Sequence, residues 1–502
     1  MKRLLLLALL CWFATAAHAA IDPALLRQLA AEESDDKIAA IEALVKTGDP
    51  EALTILKQLD EGTFKDANGD DVTVNNRVRG RIGEAMAALR LFDPDATTRL
   101  AAVKELLNNI DAGMAPMMEK ALAAETDARI KALLEQAYAL ATVRDADPAK
   151  RMAAVKALAA SGDANIKTML LDYYWDKAAE PDLQIRRAAF ASYLEVKQRL
   201  DIADFVGKVF SGLSLGSILL LAALGLAITY GVMGVINMAH GELLMIGAYA
   251  TYGMQSLFRA YLPGYLDWYV LAAVPVAFFA AAAVGILLER TVIRRLYGRP
   301  LETLLATWGL SLILIQAARV FFGAQNVEVA NPTWMSGGIE VLPNIVLPLN
   351  RIVIIGFSLF VLSLVWVLMN KTRLGMFVRA VTQNRPMAGC VGVPTSRVDT
   401  LAFGLGAGIA GLGGVALSQI ANVGPDMGQG YIVDSFLVVV VGGVGQLAGA
   451  VWAALGLGVI AKFLEGWTGA VIAKIAVLVF VIIFIQRRPQ GLFALKGRFV
   501  ES

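Results

Sequence analysis

Between Leu213 and Val232 the chain sets twenty residues in a row without one charged side chain. Further predominantly apolar runs follow at about 243–258, 268–288, 303–322, 352–369, 400–420, 434–464 and 469–485. Runs of this length cross hydrocarbon as helices, because only a helix satisfies the backbone of a single lipid-embedded segment from within. Composition divides the chain in the same way. Overall, 57% of the residues are hydrophobic and 18% are charged. Residues 20–205, however, contain 24 Lys and Arg against 32 Asp and Glu, whereas 206–502 contain 19 against 11. The first of these segments reads as a soluble acidic domain and the second as a membrane domain.

Residues 1–19 have the features of a secretory signal: Lys2-Arg3, an apolar stretch from Leu4 to Ala17, and Ala17-His18-Ala19 as a small-x-small cleavage site. Such a signal sends the acidic domain out of the cytoplasm. Cleavage after Ala19 leaves one cysteine, Cys390, and one histidine, His240. That excludes an intramolecular disulfide and a His/Cys zinc cage.

Within 20–205 one amphipathic pattern occurs three times, beginning at Lys37, Arg99 and Arg151, with separations of 62 and 52 residues. Apolar positions such as Ile38, Ile41, Leu44 and Val45 fall at helical spacing. Asp93-Pro94, Asp147-Pro148 and Gly48-Asp49-Pro50 punctuate the helices. Each helix therefore has a stripe that the next must cover, which gives a stacked solenoid resembling HEAT-type repeats. Thr63–Arg79 breaks the period and is expected to be a small hairpin insertion. A surface for binding another protein is the functional reading of this domain; a passive cap or spacer is the plainer one.

The connections at 289–302 and 370–399 and the tail beyond Arg487 hold the basic residues of the membrane domain, which marks them as cytoplasmic. The connections at 323–350 and 421–433 belong outside. The run 434–464 is 31 residues long, about 46 Å as one helix and too long for a core of about 30 Å. It is expected to cross twice or to form two half-helices meeting at Gly442-Gly443-Val444-Gly445. The fold class is thus all-α, with eight or nine membrane segments and a cytoplasmic C-terminus.

Polar groups within these runs are the candidate site. Asn237, His240 and Glu242 interrupt more than forty largely apolar residues. Ionisable groups at membrane depth pair, face a cavity or line a solute route. The plainer reading is a short turn in which Glu242 caps the next helix and His240 pairs with it. Six glycines lie within 404–414, and Gly442–Ala450 has the same character. Close helix packing explains both, while a discontinuous helix with Gln419 and Gln446 as polar contacts is the alternative. A cytoplasmic helix from about Phe377 to Cys390, ending near Gly392 and Pro394, either docks in a partner or lies on lipid headgroups.

Gly231–Tyr249 with its Ile236-Asn237-Met238-Ala239-His240-Gly241-Glu242 core, Leu304–Leu314, Arg379–Val398, Gly442–Ala450 and Arg488–Phe493 together resemble the permeases of branched-chain amino acid type ABC importers. Met238 stands where that family usually has Phe. The resemblance covers about Val206 to Phe493. It implies a subunit without a catalytic site or cofactor of its own, taking cargo from a periplasmic solute-binding protein in the bacterial inner membrane. It also implies a second related permease and separate ATPase subunits that bind ATP, engaged through Arg379, Ala380, Asn384, Met387, Ala388, Gly389 and Gly392. No phosphate-binding loop occurs in the chain, so nucleotide chemistry belongs to partners, and nothing points to nucleic acid. The N-terminal extension is similar to that of the urea-transport branch. Urea is therefore the expected cargo, with a branched-chain amino acid or short amide as the alternative. A membrane-anchored helical scaffold that moves no solute is the alternative of another class.

Overall fold

A computed structural model describes residues 22–31, 33–47, 50–65, 69, 72–108, 110, 112–342 and 345–493. The signal sequence read at 1–19 lies outside them. The chain divides into two compact units, Met1–Asp201 and Ile202–Ser502.

The first unit is helical: α1 (Pro23–Leu29), α2 (Ser34–Thr47), α3 (Pro50–Asp60), α4 (Asn76–Arg90), α5 (Ala96–Asn108), α6 (Ala115–Ala124), α7 (Ala128–Thr142), α8 (Pro148–Leu158) and α9 (Ala164–Trp175). The helix α10 (Leu183–Met233) begins in this unit, and the division between units falls within it. Aspartates set the helix starts. Asp127, Asp147 and Asp163 each accept backbone N–H bonds of the first turn that follows them.

Three successive apolar cores share their boundary helices. Ile82 and Leu89 of α4 belong to the first core, while Ala87 and Ala88 of the same helix belong to the second. On α7, Ile130 and Leu134 face the second core and Ala139 the third. Each such helix is apolar on two sides because it has a neighbour on two sides, the pattern of a one-dimensional stack.

The residue opening each sequence copy is a recurring tie. Arg99 meets Glu125 through Nε at 2.8 Å and Nη2 at 3.0 Å, and also donates to the carbonyls of Asp93 and Pro94. Arg151 repeats this with Glu180, at 2.6 and 3.1 Å, and with the carbonyls of Asp145 and Ala146. In the first copy Lys37 donates to the Thr73 carbonyl at 2.7 Å instead. Glu125 and Glu180 are buried, and their remaining lone pairs accept backbone N–H bonds from the chain that follows. A buried pair persists only when its spare groups are satisfied in this way.

One sequence expectation needs its boundary corrected here. Asn76–Arg79 of the expected hairpin insertion open α4, because Asn75 caps that helix by accepting the Val78 N–H at 2.9 Å. Within the remainder of Thr63–Arg79 the described residues keep hairpin-type pairing, with Val72 N donating to the Phe64 carbonyl at 3.0 Å and Lys65 in a β-bridge, while 66–68, 70 and 71 lie outside the described residues.

In the second unit α10 is followed by α11 (His240–Tyr261), α12 (Tyr269–Thr291), α13 (Pro300–Phe322), the strands β1 (Gly338–Leu342) and β2 (Ile345–Pro348), and α14 (Leu349–Lys371). Then come α15 (Arg373–Gln383), α16 (Arg385–Cys390), α17 (Thr395–Ser418), α18 (Met427–Gly442), α19 (Leu447–Thr468) and α20 (Ala470–Arg487). The antiparallel pair β1–β2 departs from the all-α expectation. The alternating apolar and β-branched residues Ile339, Val341, Val346 and Leu347 favour extended pairing, and Gly337 at φ 88° supplies the turn into it.

Among the described residues, 7 helices are long and apolar enough to cross a membrane. The 22-residue α11 and the 16-residue α18 pack beside them. The long run 434–464 breaks between α18 and α19, where Gly443 at φ 98° and Gly445 at φ 76° turn the chain. The most enclosed helix is α17, with 89% of its apolar stretch buried against 17% for α20. Its glycines allow this: a side chain at Gly414 would strike the Leu244 carbonyl, and one at Gly406 would strike Gly225.

The Arg99 guanidinium bonded to Glu125 holds that carboxyl at about 2, against 4.5 ordinarily. A carboxyl lowered on folding adds stability that is fully present above its unfolded value and is lost as pH falls toward the folded value. The acidic unit is therefore expected to weaken progressively from about pH 4.5 to about pH 2. In Glu125→Gln it should be less stable at neutral pH and less sensitive to acid. Thermal melts of the full chain followed by circular dichroism over that range check this, and identical pH dependence in both proteins would refute it.

Candidate functional site

The sequence interruption is a real break in the helices. After Met233 the chain turns at Gly234, with φ 66°, and regains a helix at His240. Asn237 folds the connection on itself, its Oδ1 accepting the Ala239 N–H at 3.0 Å and its carbonyl accepting the His240 N–H at 3.3 Å. Asn237, His240 and Glu242 are all buried, with at most 2% of each exposed.

Of the plainer reading, the pairing of the two side chains is not formed, while Glu242 does lie in the first turn of α11. Glu242 does not pair with His240. Instead, His240 Nε2 lies 3.0 Å from the Ala222 carbonyl on α10. Ala239 caps α11 without any side-chain bond. Ser311 of α13 lies near the Glu242 carboxylate. Asn237 Nδ2, His240 Nδ1 and Glu242 Oε2 have no protein partner. Each unpaired buried polar atom costs about 1–3 kcal/mol, so three in one cluster require a reason beyond packing.

A facing stripe escaped the sequence reading. Thr303, Thr307 and Ser311 lie along one buried side of α13, while Leu301, Leu305 and Trp308 on the same helix are exposed. Thr307 Oγ1 accepts the Met238 N–H at 3.2 Å, joining α13 to the break. The signal was present as hydroxyl residues recurring every four positions in an otherwise apolar helix.

Gln419 and Gln446 do not join this cluster. Gln419 is buried just past α17, where its Nε2 donates to Tyr269 Oη at 3.3 Å and its carbonyl accepts from Asn350 at 3.2 Å. Gln446 is half-buried at the turn into α19, beside Gly445, which packs on Gly231.

The second candidate region is the connection after α14. In place of one helix from Phe377 to Cys390 there are two, α15 and α16, broken at Asn384. Pro386 has no N–H and its ring would collide with the Thr382 carbonyl in a continuous helix. Asn384 instead starts α16 by accepting the Met387 N–H at 3.0 Å. Gly392, at φ 86°, ends it. Arg379, Asn384, Met387, Gly389 and Gly392 are exposed, Ala380 is half-buried, and Ala388 is buried against the core.

Side chains not foreseen from sequence fasten this pair of helices to the bundle. Arg385 bonds Asp399 of α17 and the Tyr297 hydroxyl, with its guanidinium 4.1 Å from the Tyr297 ring centre. Beside it Arg294 meets Glu289 at 3.0 Å and Thr400 at 2.7 Å, and Thr400 donates to Glu289 at 2.9 Å. Removing the cap in Asn384→Ala is expected to cost α16 about 1 kcal/mol. Hydrogen–deuterium exchange should then accelerate across 385–390 while α17 stays protected; unchanged exchange in 385–390 would mean the cap is dispensable.

Comparison with known proteins follows these landmarks. The profile of the family described as "Branched-chain amino acid transport system / permease component" matches residues 208–486. The high-affinity branched-chain amino acid transport system permease protein BraD of Pseudomonas aeruginosa is 28% identical over 298 residues, 58% of this chain and 96% of that protein. LivH of Salmonella typhimurium, of the same description, is 29% identical over 296 residues, 57% of this chain and 95% of its own. A probable branched-chain amino acid transport permease of Methanocaldococcus jannaschii is 27% identical over 243 residues, 47% of this chain and 73% of its own. No solved structure matches. With its apolar helices and its polar break inside the matched region, the chain is a multi-pass membrane protein belonging to the branched-chain amino acid transport permease family.

Proposed function

We propose that this permease is the solute-conducting subunit of an ATP-driven importer for urea. The observation that carries the cargo reading is the electrical character of the break. Asn237, His240 and Glu242 present unpaired polar atoms beside Ser311, and among the described residues of the second unit no Lys or Arg is buried. A zwitterionic amino acid in such a place leaves its carboxylate without a cation, at a heavy desolvation cost. Urea needs no ion pair: its N–H donors suit Glu242 and the Asn237 oxygen, and its carbonyl suits Asn237 Nδ2.

In this reading the protein sits in the bacterial inner membrane with its C-terminus cytoplasmic and its HEAT-like N-terminal domain periplasmic, near a solute-binding protein. It pairs with a second related permease. The exposed residues Arg379, Asn384, Met387 and Gly389 meet cytoplasmic ATPase subunits, and ATP hydrolysis there switches the pathway between outward- and inward-facing states. Gln419 and Gln446 belong to other stretches of the route.

A branched-chain amino acid as cargo is the second reading, favoured by the names of the relatives. Uptake of labelled urea and labelled leucine by the assembled complex, with and without its binding protein, separates the two. Urea flux that excess leucine does not suppress is expected, and leucine flux alone would overturn the urea reading. Glu242→Ala is expected to lower flux about tenfold or more with assembly intact, the loss of a bond to a charged group. Wild-type flux in that variant would remove the break from the pathway.

A further inference from the structure

Three contacts run in sequence from the connection after α14 to the helix break. The first is the ion pair of Arg385, at the start of α16, with Asp399 near the start of α17. Asp399 is 3% exposed, and its other oxygen, Oδ1, has no partner. Among the described residues the bond from Arg385 is therefore the one hydrogen bond its carboxylate accepts. The Tyr297 hydroxyl and ring hold the same guanidinium. If α16 shifts, α17 must follow or a buried carboxylate loses its only bond, which is costly.

The second contact lies two turns along α17. Gly406 is seven residues from Asp399, on nearly the same face of the helix and about 10.5 Å farther along it. Its carbonyl presses on Gly225 of α10, and a side chain at Gly225 would strike it.

The third contact is at the same glycine. A side chain there would also lie 3.0 Å from the His240 ring. His240 opens α11, and its Nε2 sits 3.0 Å from the Ala222 carbonyl, on the same stretch of α10. Helices α17 and α10 and the first residue of α11 thus meet at one point. A side chain between two helices can absorb a displacement by changing rotamer, whereas two glycines in backbone contact cannot. Close-packed matter of this kind is poorly compressible and passes strain on.

We propose that Arg385 and Asp399 are positioning residues of the transport cycle. They make α16 and α17 one lever, whose movement reaches His240 and the break through Gly406 and Gly225. The proposal rests on the reading in which ATPase subunits meet α15 and α16, and it holds for any cargo.

The break offers a readout that needs no cargo. The amides of Met238, Ala239 and His240 are bonded to Thr307 Oγ1, Asn237 Oδ1 and the Asn237 carbonyl, so their hydrogen–deuterium exchange reports whether the connection keeps its turn. The test compares the importer assembled with its ATPase subunits, free of nucleotide and then trapped with ATP and vanadate. In the wild type, exchange over 373–390 and over 238–240 should both differ between the two states. In Asp399→Asn, ATP hydrolysis and the response over 373–390 should persist, while the ratio of the two rates at 238–240 falls to near one. Tyr297→Phe, which keeps the ring and removes one bond to Arg385, should lower that ratio less. A wild-type break that ignores nucleotide while 373–390 responds overturns the lever alone, as does a break that responds as fully in both variants as in the wild type. If 373–390 itself ignores nucleotide in the wild type, the ATPase reading falls and the lever with it.

Discussion

Contact of backbone with backbone is the constraint on which the membrane unit rests. Lipid tails are as apolar as leucine, so helices there gain little by hiding side chains from their surroundings. They associate instead through close van der Waals packing and polar bonds. Helix α17 is built for this, since Gly406 meets Gly225 of α10, Gly411 meets Gly247 of α11, and Gly414 meets Leu244. Because α10 and α11 are drawn onto one central helix, the connection between them is drawn inward as well. The burial of Asn237 and Glu242 follows from glycine placement many residues away.

A bundle fastened this closely makes its few exceptions informative. Most hydroxyl side chains in the spans return a bond to their own helix, as Thr229, Thr251 and Ser435 do. The unpaired atoms of Asn237, His240 and Glu242 have no such outlet. Around the short helices after α14, Arg385 with Asp399 and Arg294 with Glu289 form ion pairs that fix short helices to long ones. Three unpaired buried atoms fall within six residues at the helix break, while single ones occur at Ser214, Tyr249, Gln255 and Asp399.

Much of this was legible in the sequence, for reasons that can be named. Charge-free runs locate the long helices because lipid leaves the backbone no alternative, and 434–464 could be seen to break because a helix of that length exceeds the bilayer. The repeat openings Lys37, Arg99 and Arg151 were found as a pattern, but their partners were not. Arg99 reaches Glu125 and Arg151 reaches Glu180 across intervals of 26 and 29 residues that no local periodicity encodes. The helix 377–390 was misread because helical amphipathicity was weighed above Pro386, whose ring breaks the backbone ladder. The hairpin at 338–348 was missed because a stretch that short between two long helices reads as connection. Thr303, Thr307 and Ser311 went unremarked because each is ordinary alone, and only their shared face gives them meaning.

The break between α18 and α19 is sealed from an unexpected direction. Leu492 donates its N–H to the Val441 carbonyl at 2.8 Å, and Gly491 packs on Gly443. The segment following α20 thus works as a latch over the last carbonyls of α18. For anyone handling this protein the consequence is practical: a fusion or affinity handle inserted ahead of Phe493 would disturb that latch at the tip of α18.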